Sequence, residues 1–176
     1  VSLPNQQHAQ AALAALQGAS YQVSDLKERE IHNQPLPPFT TSQLQQQASI
    51  QLRFSTSKTM IIAQQLYEGV EVGEEGPVGL ITYMRTDSVR IADEALAQCR
   101  RLIEGEFGKE YLSPQPRHYK ARRGAQEAHE AIRPTSAHIF PEEVKEYLTP
   151  EQFKLYNLIW RRFGASQMSP ALYQER

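Results

Sequence analysis

The stretch Gly79–Ser88, with the sequence GLITYMRTDS, decides how the chain is interpreted. Its apolar part, Leu80–Met84, predicts a β-strand, and the two-residue period of a strand puts Tyr83 and Arg85 on one face. A free phenol has a pKa of about 10 and is a poor nucleophile near neutral pH. If Tyr83 attacks phosphorus, the Arg85 guanidinium has the donors to stabilise the developing negative charge.

The small polar residues that follow offer further hydrogen-bonding groups. Asp87 could orient Arg85 or cap the next segment, and Ser88 and Thr86 could bond backbone or phosphate oxygens. The alternative is structural: Tyr83 is one of eight tyrosines, an amphipathic residue at a strand edge beside a solvated arginine. On spacing alone, this alternative is favoured.

A second polar cluster lies in Gln126–Thr135, with the sequence QEAHEAIRPT. If this segment is helical, His129 and Arg133 share a face and could contact one phosphodiester, with Glu130 holding a ring nitrogen of the histidine. A surface turn with a mild ion pair is an equal alternative. The cluster lacks the paired histidines of a zinc site, so metal binding is disfavoured.

Basic side chains are concentrated between these two stretches and on the last helix. Such groups suit phosphate contacts and base stacking, although many basic loops only face solvent. They are Arg117, Lys120, Arg122 and Arg123, together with Arg161 and Arg162.

The composition limits the classes of function. The chain has 176 residues and a net charge of −1, enough for one domain or one domain with parts of a neighbour, and it is no polycation that grips DNA by bulk charge. Cys99 is the single cysteine, which excludes an internal disulfide and a multi-cysteine zinc site and fits a reducing cytoplasm. The sequence contains no phosphate-binding glycine loop and no Asp-x-Asp-x-Glu magnesium cluster.

The ends of the sequence suggest an excised segment of a longer protein. There is no initiator methionine and no signal peptide, and no apolar run approaches the roughly 20 residues of a membrane span. We therefore expect no membrane partner.

Apolar spacing and capping residues predict a mainly α chain with small β elements, an α+β fold. A helix pair followed by a glycine-rich hairpin, 69–79, suggests a winged-helix or helix-turn-helix arrangement. The predicted helices are about 6–16, 40–52, 58–68, 92–107, 142–148 and 150–167. A strand is predicted at 21–31, and the prolines within 33–38 predict a domain boundary.

These stretches resemble segments of the bacterial type IA DNA topoisomerases, in order and over essentially the whole chain. Residues 80–88 are similar to the family's active-site signature, with Tyr83 and Arg85 at its tyrosine and arginine. Residues 126–134 resemble a second signature, with His129 and Arg133 near the bound strand. The other similar segments are 38–46, 58–68 and 155–167.

The resemblance implies a winged-helix-like, tyrosine-bearing domain at 37–170, flanked by parts of an arch domain at 1–36 and 171–176. It implies that Tyr83 and Arg85 are catalytic and that Tyr83 forms a 5′-phosphotyrosine with a single DNA strand. Another strand then passes through the break before religation, and negative supercoils relax without ATP. Single-stranded DNA would contact Asp87, Ser88, His129, Arg133, Arg117, Lys120, Arg122 and Arg123.

The resemblance also implies parts that lie outside this chain. The family's Mg²⁺ site belongs to an N-terminal domain, so we expect the isolated chain to depend on the remaining domains of its parent and to be inactive alone. The parent would act on DNA of the bacterial nucleoid, in the cytoplasm. One departure is Ala92, where family members often carry a hydroxyl helix cap.

Two other functions compete with this one. A winged helix-turn-helix module without catalysis would use Lys58–Glu68 to read a groove and would bind duplex DNA sequence-specifically. A phosphotyrosine recombinase would need several dispersed arginines and a histidine in an arrangement that this sequence does not provide.

Overall fold

The structure is a computed structural model that describes residues 2–73, 76–119 and 129–176. Contacts divide the chain into two units, one comprising the chain up to Ile31 with Leu172–Arg176 and the other His32–Ala171. Helices dominate, and the described strands form two-stranded sheets. The predicted α+β class is therefore confirmed.

The described part of the chain contains five α-helices, four strands and two short 3₁₀ helices. The helices are α1 (Gln6–Leu16), α2 (Thr41–Leu52), α3 (Thr56–Glu68), α4 (Asp93–Glu106) and α5 (Pro150–Ser166). The strands are β1 (Arg29–Asn33), β2 (Val70–Glu71), β3 (Pro77–Val78) and β4 (Ala171–Glu175), and short 3₁₀ helices cover Lys109–Tyr111 and Lys145–Tyr147.

The smaller unit contains α1 and is largely exposed. The Asn5 side chain caps α1 by accepting from the backbone nitrogen of His8 at 3.0 Å, and the helix ends before Gly18, whose φ of 78° suits glycine. None of the described residues of this unit is buried. It therefore has no apolar core of its own.

The strand predicted at 21–31 was wrong in its bounds. Only Arg29–Asn33 is a strand, and its partner is β4, about 140 residues later in the chain. The alternation before Arg29 is too weak to specify a register, whereas β4 supplies a backbone partner for β1.

The larger unit begins with two capped helices. Thr40 forms a capping box with Gln43 at the start of α2, and the Ser55 side chain accepts from the backbone nitrogen of Lys58 at the start of α3. The β2–β3 hairpin follows directly, pairing Val70 with Val78. The helix pair and hairpin of the predicted winged-helix arrangement are thus present.

Helix α5 lies at the centre of the larger unit and contributes to both of its apolar clusters. Leu155, Tyr156 and Ile159 pack in a cluster with residues of α2 and α3, while Phe163 packs against α4. Trp160 contacts both clusters and donates from its indole nitrogen to the carbonyl oxygen of Ala137 at 2.9 Å. The prediction that α5 is the main buried helix is confirmed.

Helix α4 carries the predicted apolar stripe, with Leu96, Cys99 and Ile103 buried. Ala92 occupies its N-cap position and makes no side-chain cap hydrogen bond. Asp93 in the first turn favours the helix through its interaction with the helix dipole.

Two predicted elements were wrong. The helix predicted at 142–148 is only the 3₁₀ turn Lys145–Tyr147, because Thr149 must be extended to cap α5 and to precede Pro150. Leu80–Met84 forms no continuous strand: Ile81 makes an isolated bridge with Pro134, and a proline has no backbone N–H to extend a ladder.

Candidate active site

Tyr83 lies in a segment outside the helices and strands, and α2 and α3 hold this segment in place. The backbone nitrogen of Leu80 donates to the carbonyl oxygen of Leu66 in α3 at 2.7 Å. The Thr41 hydroxyl lies 2.7 Å from the carbonyl oxygen of Met84 and accepts from the backbone nitrogen of Thr86 at 2.8 Å. Both ends of the segment are therefore fixed by helices of the larger unit.

Exposure alternates along this segment although it forms no ladder. Met84 and Thr86 are buried, whereas Tyr83, Arg85 and Asp87 are exposed. Tyr83 keeps 45% of its surface accessible. The side chains of Tyr83 and Arg85 are therefore both open to solvent, and their placement on one shared face stays a prediction.

The His129 segment is extended, so the helical interpretation of residues 126–134 does not apply to its described part. The backbone nitrogen of Ala131 donates to the carbonyl oxygen of Arg90 at 2.9 Å, and that of Ile132 donates to the carbonyl oxygen of Phe39 at 2.8 Å. These long-range bonds replace the local bonds of a helix and bring His129 beside Tyr83.

The Thr82 hydroxyl joins the two segments. It donates to the carbonyl oxygen of Ala131 at 2.7 Å and accepts from the backbone nitrogen of Arg133 at 3.0 Å. The Thr82 backbone nitrogen also donates to the carbonyl oxygen of Arg133, at 2.9 Å. Thr82, the residue directly before Tyr83, is thus hydrogen-bonded to Ala131 and Arg133, which flank Ile132.

An open cavity of about 220 Å³, here called the Tyr83 cavity, lies between the two segments. Its lining combines a phenol, an imidazole, two hydroxyls and a carboxylate, from Tyr83, His129, Thr82, Thr86 and Glu130. The ring centroids of Tyr83 and His129 are 6.5 Å apart at an interplanar angle of 76°. A phenol and an imidazole therefore face the same space.

Tyr67, at the end of α3, makes a second ring contact with Tyr83. Their centroids are 5.3 Å apart at 66°, an edge-to-face arrangement. Sequence reasoning missed Tyr67, because its position in α3 carries no motif beyond the apolar spacing of the helix.

Arg133 is occupied by contacts within its own segment. Its Nε and Nη2 donate to Glu130 at 3.0 and 2.6 Å, and Nη1 donates to the carbonyl oxygen of Pro134 at 2.9 Å. Only 11% of its side chain is exposed. This geometry favours a structural role over the predicted phosphate contact, and Glu130 pairs with Arg133 rather than holding the histidine.

Ser88 and Asp87 differ sharply in accessibility. Ser88 is 2% exposed, and its hydroxyl accepts from the backbone nitrogen of Arg90 at 3.2 Å. Of the two predicted partners of Ser88, backbone or phosphate, this contact corresponds to the backbone. Asp87 is exposed and lines a groove with residues at the start of α2, including Thr40 and Gln43.

Of the predicted basic loop, only its first part falls within the described residues. Arg117 donates from Nε to the carbonyl oxygen of Met168 at 3.2 Å and from Nη1 to Gln34 at 3.0 Å, so it joins the loop to the end of α5. Lys120, Arg122 and Arg123 lie outside the described residues. Arg117, the described cation of this loop, does not line the cavity beside Tyr83.

Burial changes the titration of two groups near α5. Burial raises the pKa of Tyr119, although Arg117 and Arg162 oppose the shift, and the Tyr119 hydroxyl donates to the carbonyl oxygen of Ser166 at 2.8 Å. Burial lowers the pKa of Arg162, whose guanidinium lies 4.4 Å from the ring centroid of Phe39. Arg162 is thus half-buried against the ring of Phe39, whereas Arg161 is exposed.

Neither a metal site nor a membrane-spanning helix is found in the part of the chain that the structure describes. No three His, Cys, Asp or Glu side chains there are grouped so that they could hold a metal ion together. No helix there has both the length and the apolar character needed to cross a membrane.

Comparison with known proteins shows a family and a solved structure to which this chain is similar. The family model of DNA topoisomerase matches residues 2–176. The solved structure of full-length topoisomerase I from Thermotoga maritima is 47% identical in sequence, with a TM-score of 0.79. The match covers 93% of this chain and 26% of that one, so this chain corresponds to about a quarter of the Thermotoga protein.

Proposed function

Because the chain belongs to the bacterial type IA DNA topoisomerases, we propose that it supplies the nucleophile of a longer enzyme. That enzyme cleaves one DNA strand, lets another strand pass and reseals the break. The observation that carries this proposal is the half-exposed phenol of Tyr83 in an open cavity beside His129.

The proposed chemistry is a transesterification at phosphorus. The Tyr83 oxygen forms a bond to phosphorus as the bond to the 3′ oxygen breaks, leaving a 5′-phosphotyrosine and a free 3′-hydroxyl. The phenol loses a proton and the leaving 3′ oxygen gains one. Religation is the reverse step: the 3′-hydroxyl attacks the phosphotyrosine, and the phenol regains its proton. Bond energy is conserved in the phosphotyrosine, which is why the reaction needs no ATP.

Arg85 and His129 are the proposed partners of Tyr83. Arg85 is exposed two residues after Tyr83 and would donate to the phosphate oxygens as charge develops. His129 would hold the scissile strand from across the Tyr83 cavity. Asp87 would border the strand, whereas the burial of Ser88 and the ion pair of Arg133 suit support of the site.

Magnesium, if the parent enzyme uses it, would be held by another domain and would supply charge stabilisation there. The described residues contain no group of three His, Cys, Asp or Glu side chains that could hold a metal ion. The remaining domains are accordingly proposed partners, together with single-stranded DNA, and the place of action is the cytoplasm, where the nucleoid lies.

The exposed smaller unit supports the predicted domain division. Leu13, Tyr21, Val23 and Leu26 are each more than 60% exposed, and a unit without a core needs an apolar partner. We assign residues 1–36 and 171–176 to the arch domain, whose remaining parts would cover these side chains, and 37–170 to the tyrosine-bearing domain.

The winged-helix alternative is less well supported. Lys58 is the one basic residue of α3, and it pairs with Glu151 of α5. A helix that reads duplex DNA needs cations free to contact phosphates. The exposed residues of α3 instead include Gln64 and Glu68, which bond to each other at 2.6 Å.

The proposal is tested by trapping the covalent adduct in the full-length parent enzyme. A single-stranded oligonucleotide labelled at its 3′ end is incubated with the enzyme, denatured and resolved by electrophoresis, so that label stays with the protein only through a 5′-phosphotyrosine. Tyr83→Phe should abolish the adduct, because phenylalanine keeps the ring but has no oxygen to form the ester.

Tyr111→Phe is the matched control, since Tyr111 is 54% exposed and does not line the Tyr83 cavity. It should form the adduct at the wild-type rate. An adduct that persists in Tyr83→Phe would remove Tyr83 from the mechanism. Tight, sequence-dependent binding of duplex DNA without an adduct would support the winged-helix alternative.

A further inference from the structure

The ring of Tyr83 contacts a second tyrosine that belongs to a rigid element. Tyr67 lies in the last turn of α3, and its ring is 5.3 Å from that of Tyr83 at an angle of 66°. Edge-to-face geometry places the positive edge of one ring against the negative face of the other, so the contact favours a defined orientation. It therefore restricts the rotation of a phenol that is otherwise half exposed.

The backbone around this contact is closely packed. Leu66 and Leu80 are fully buried, and the Leu80 nitrogen donates to the Leu66 carbonyl oxygen at 2.7 Å. A Cβ atom at Gly79 would lie 2.8 Å from the carbonyl oxygen of Tyr67, closer than real contacts allow. The end of α3 thus lies directly against the segment that leads to Tyr83.

A nucleophile gains from this arrangement because displacement at phosphorus is sensitive to small errors of position. Misplacement of a reacting group by about 1 Å can cost roughly a hundredfold in rate. Hydrogen bonds on either side of Tyr83 fix its backbone, but they do not restrict the rotation of its half-exposed ring. A ring fixed on α3 can supply that restriction.

We propose that Tyr67 is a positioning residue for the nucleophile: its ring holds the phenol of Tyr83 in the orientation that presents its oxygen to the Tyr83 cavity. This inference rests on the proposed function of Tyr83. Tyr67 acts through its ring, so its hydroxyl is not required.

The test measures adduct formation by the full-length parent enzyme in a single turnover, across a range of concentrations of the 3′-labelled oligonucleotide. Tyr67→Phe keeps the ring and should stay within about twofold of wild type. Tyr67→Ala and Tyr67→Leu should lower the maximal rate roughly tenfold to a hundredfold without changing the half-saturating concentration. Tyr111→Ala, at another exposed tyrosine, should change neither quantity.

Tyr67→Leu keeps apolar bulk and serves if Tyr67→Ala fails to fold, which circular dichroism reports. Wild-type maximal rates in the leucine and alanine variants would overturn the inference. A raised half-saturating concentration at an unchanged maximal rate would also overturn it, because that result would assign Tyr67 to strand binding. A Tyr67→Phe variant as slow as Tyr67→Leu would overturn it as well. Tyr83→Phe, run in parallel, separates the two proposals: if it abolishes the adduct while Tyr67→Leu is normal, only this inference fails.

Discussion

The hydroxyl of Thr82 donates a 2.7 Å hydrogen bond to the carbonyl oxygen of Ala131, joining the tyrosine segment to the histidine segment at the residue directly before Tyr83. The same oxygen accepts from the backbone nitrogen of Arg133 at 3.0 Å. One side chain therefore satisfies a donor and an acceptor of the neighbouring segment. The relative position of Tyr83 and His129 depends on this pair of bonds.

We expect Thr82→Val to destabilise the chain by about 1–3 kcal/mol, because valine has the same shape but leaves two backbone groups without their partner. Thermal unfolding followed by circular dichroism measures the loss. Thr82→Ser restores the hydroxyl and should recover most of the stability. Equal melting temperatures for the valine variant and wild type would show that the link contributes nothing.

Arg85→Ala should slow adduct formation in the parent enzyme by about a hundredfold to a thousandfold, the usual cost of removing one transition-state donor. Arg101→Ala, at an exposed arginine of α4, is the matched control and should be neutral.

His129→Ala should instead raise the half-saturating concentration of the oligonucleotide, because the histidine is proposed to hold the strand. Titration of the single-turnover rate separates the two effects.

Gly79→Ala should destabilise the larger unit by about 1–3 kcal/mol, since the added methyl group would meet the backbone of α3. Its Cβ would lie 2.8 Å from the carbonyl oxygen of Tyr67, which cannot move without shifting the helix end. Gly105→Ala is the matched control: nothing lies within 4 Å of its Cβ position in α4. That variant should gain about 0.5–1 kcal/mol from helix propensity.

Urea unfolding of both alanine variants supplies the measurement. Opposite signs are expected at the two positions. A neutral Gly79→Ala would show that α3 and the tyrosine segment can separate freely, which would also weaken the argument for Tyr67 as a positioning residue.

The parts of the fold that sequence predicts well are those determined by near neighbours. Thr40 and Gln43 specify the start of α2 through bonds three residues apart. The apolar spacing from Leu155 to Phe163 similarly specifies the buried face of α5. In both cases the physical cause lies within one or two turns of the chain, so a local pattern contains it.

The site depended on distant partners, and here local patterns were insufficient. The extended form of the His129 segment results from bonds to Phe39, Thr82 and Arg90, and its own residues allowed a helix equally well. Spacing placed Tyr83 and Arg85 on one face, but the contact of Tyr67 with Tyr83 depends on how α3 packs against the tyrosine segment. The pairing of β1 with β4 joins opposite ends of the chain in the same way.

Cys99 provides a prediction about protonation and unfolding. Its thiol is fully buried in α4, 3.9 Å from the carbonyl oxygen of Phe163, and burial raises the pKa of Cys99 to about 12, although Arg100 opposes the shift. Because the folded state retains the proton, this thiol favours the fold fully below its unfolded pKa, near 9, and loses that contribution as the pH rises toward 12.

At pH 8 the native thiol should therefore react with a chromogenic disulfide only as fast as the larger unit opens. Reaction should become rapid in denaturing guanidinium, when the thiol reaches water. A Cys99→Ala/Phe107→Cys variant is the matched control, since Phe107 is 43% exposed at the end of the same helix, and its new thiol should react at once in the native state. Rapid native labelling of Cys99 itself would show that α4 separates readily from α5 and would contradict the burial on which the pKa shift depends.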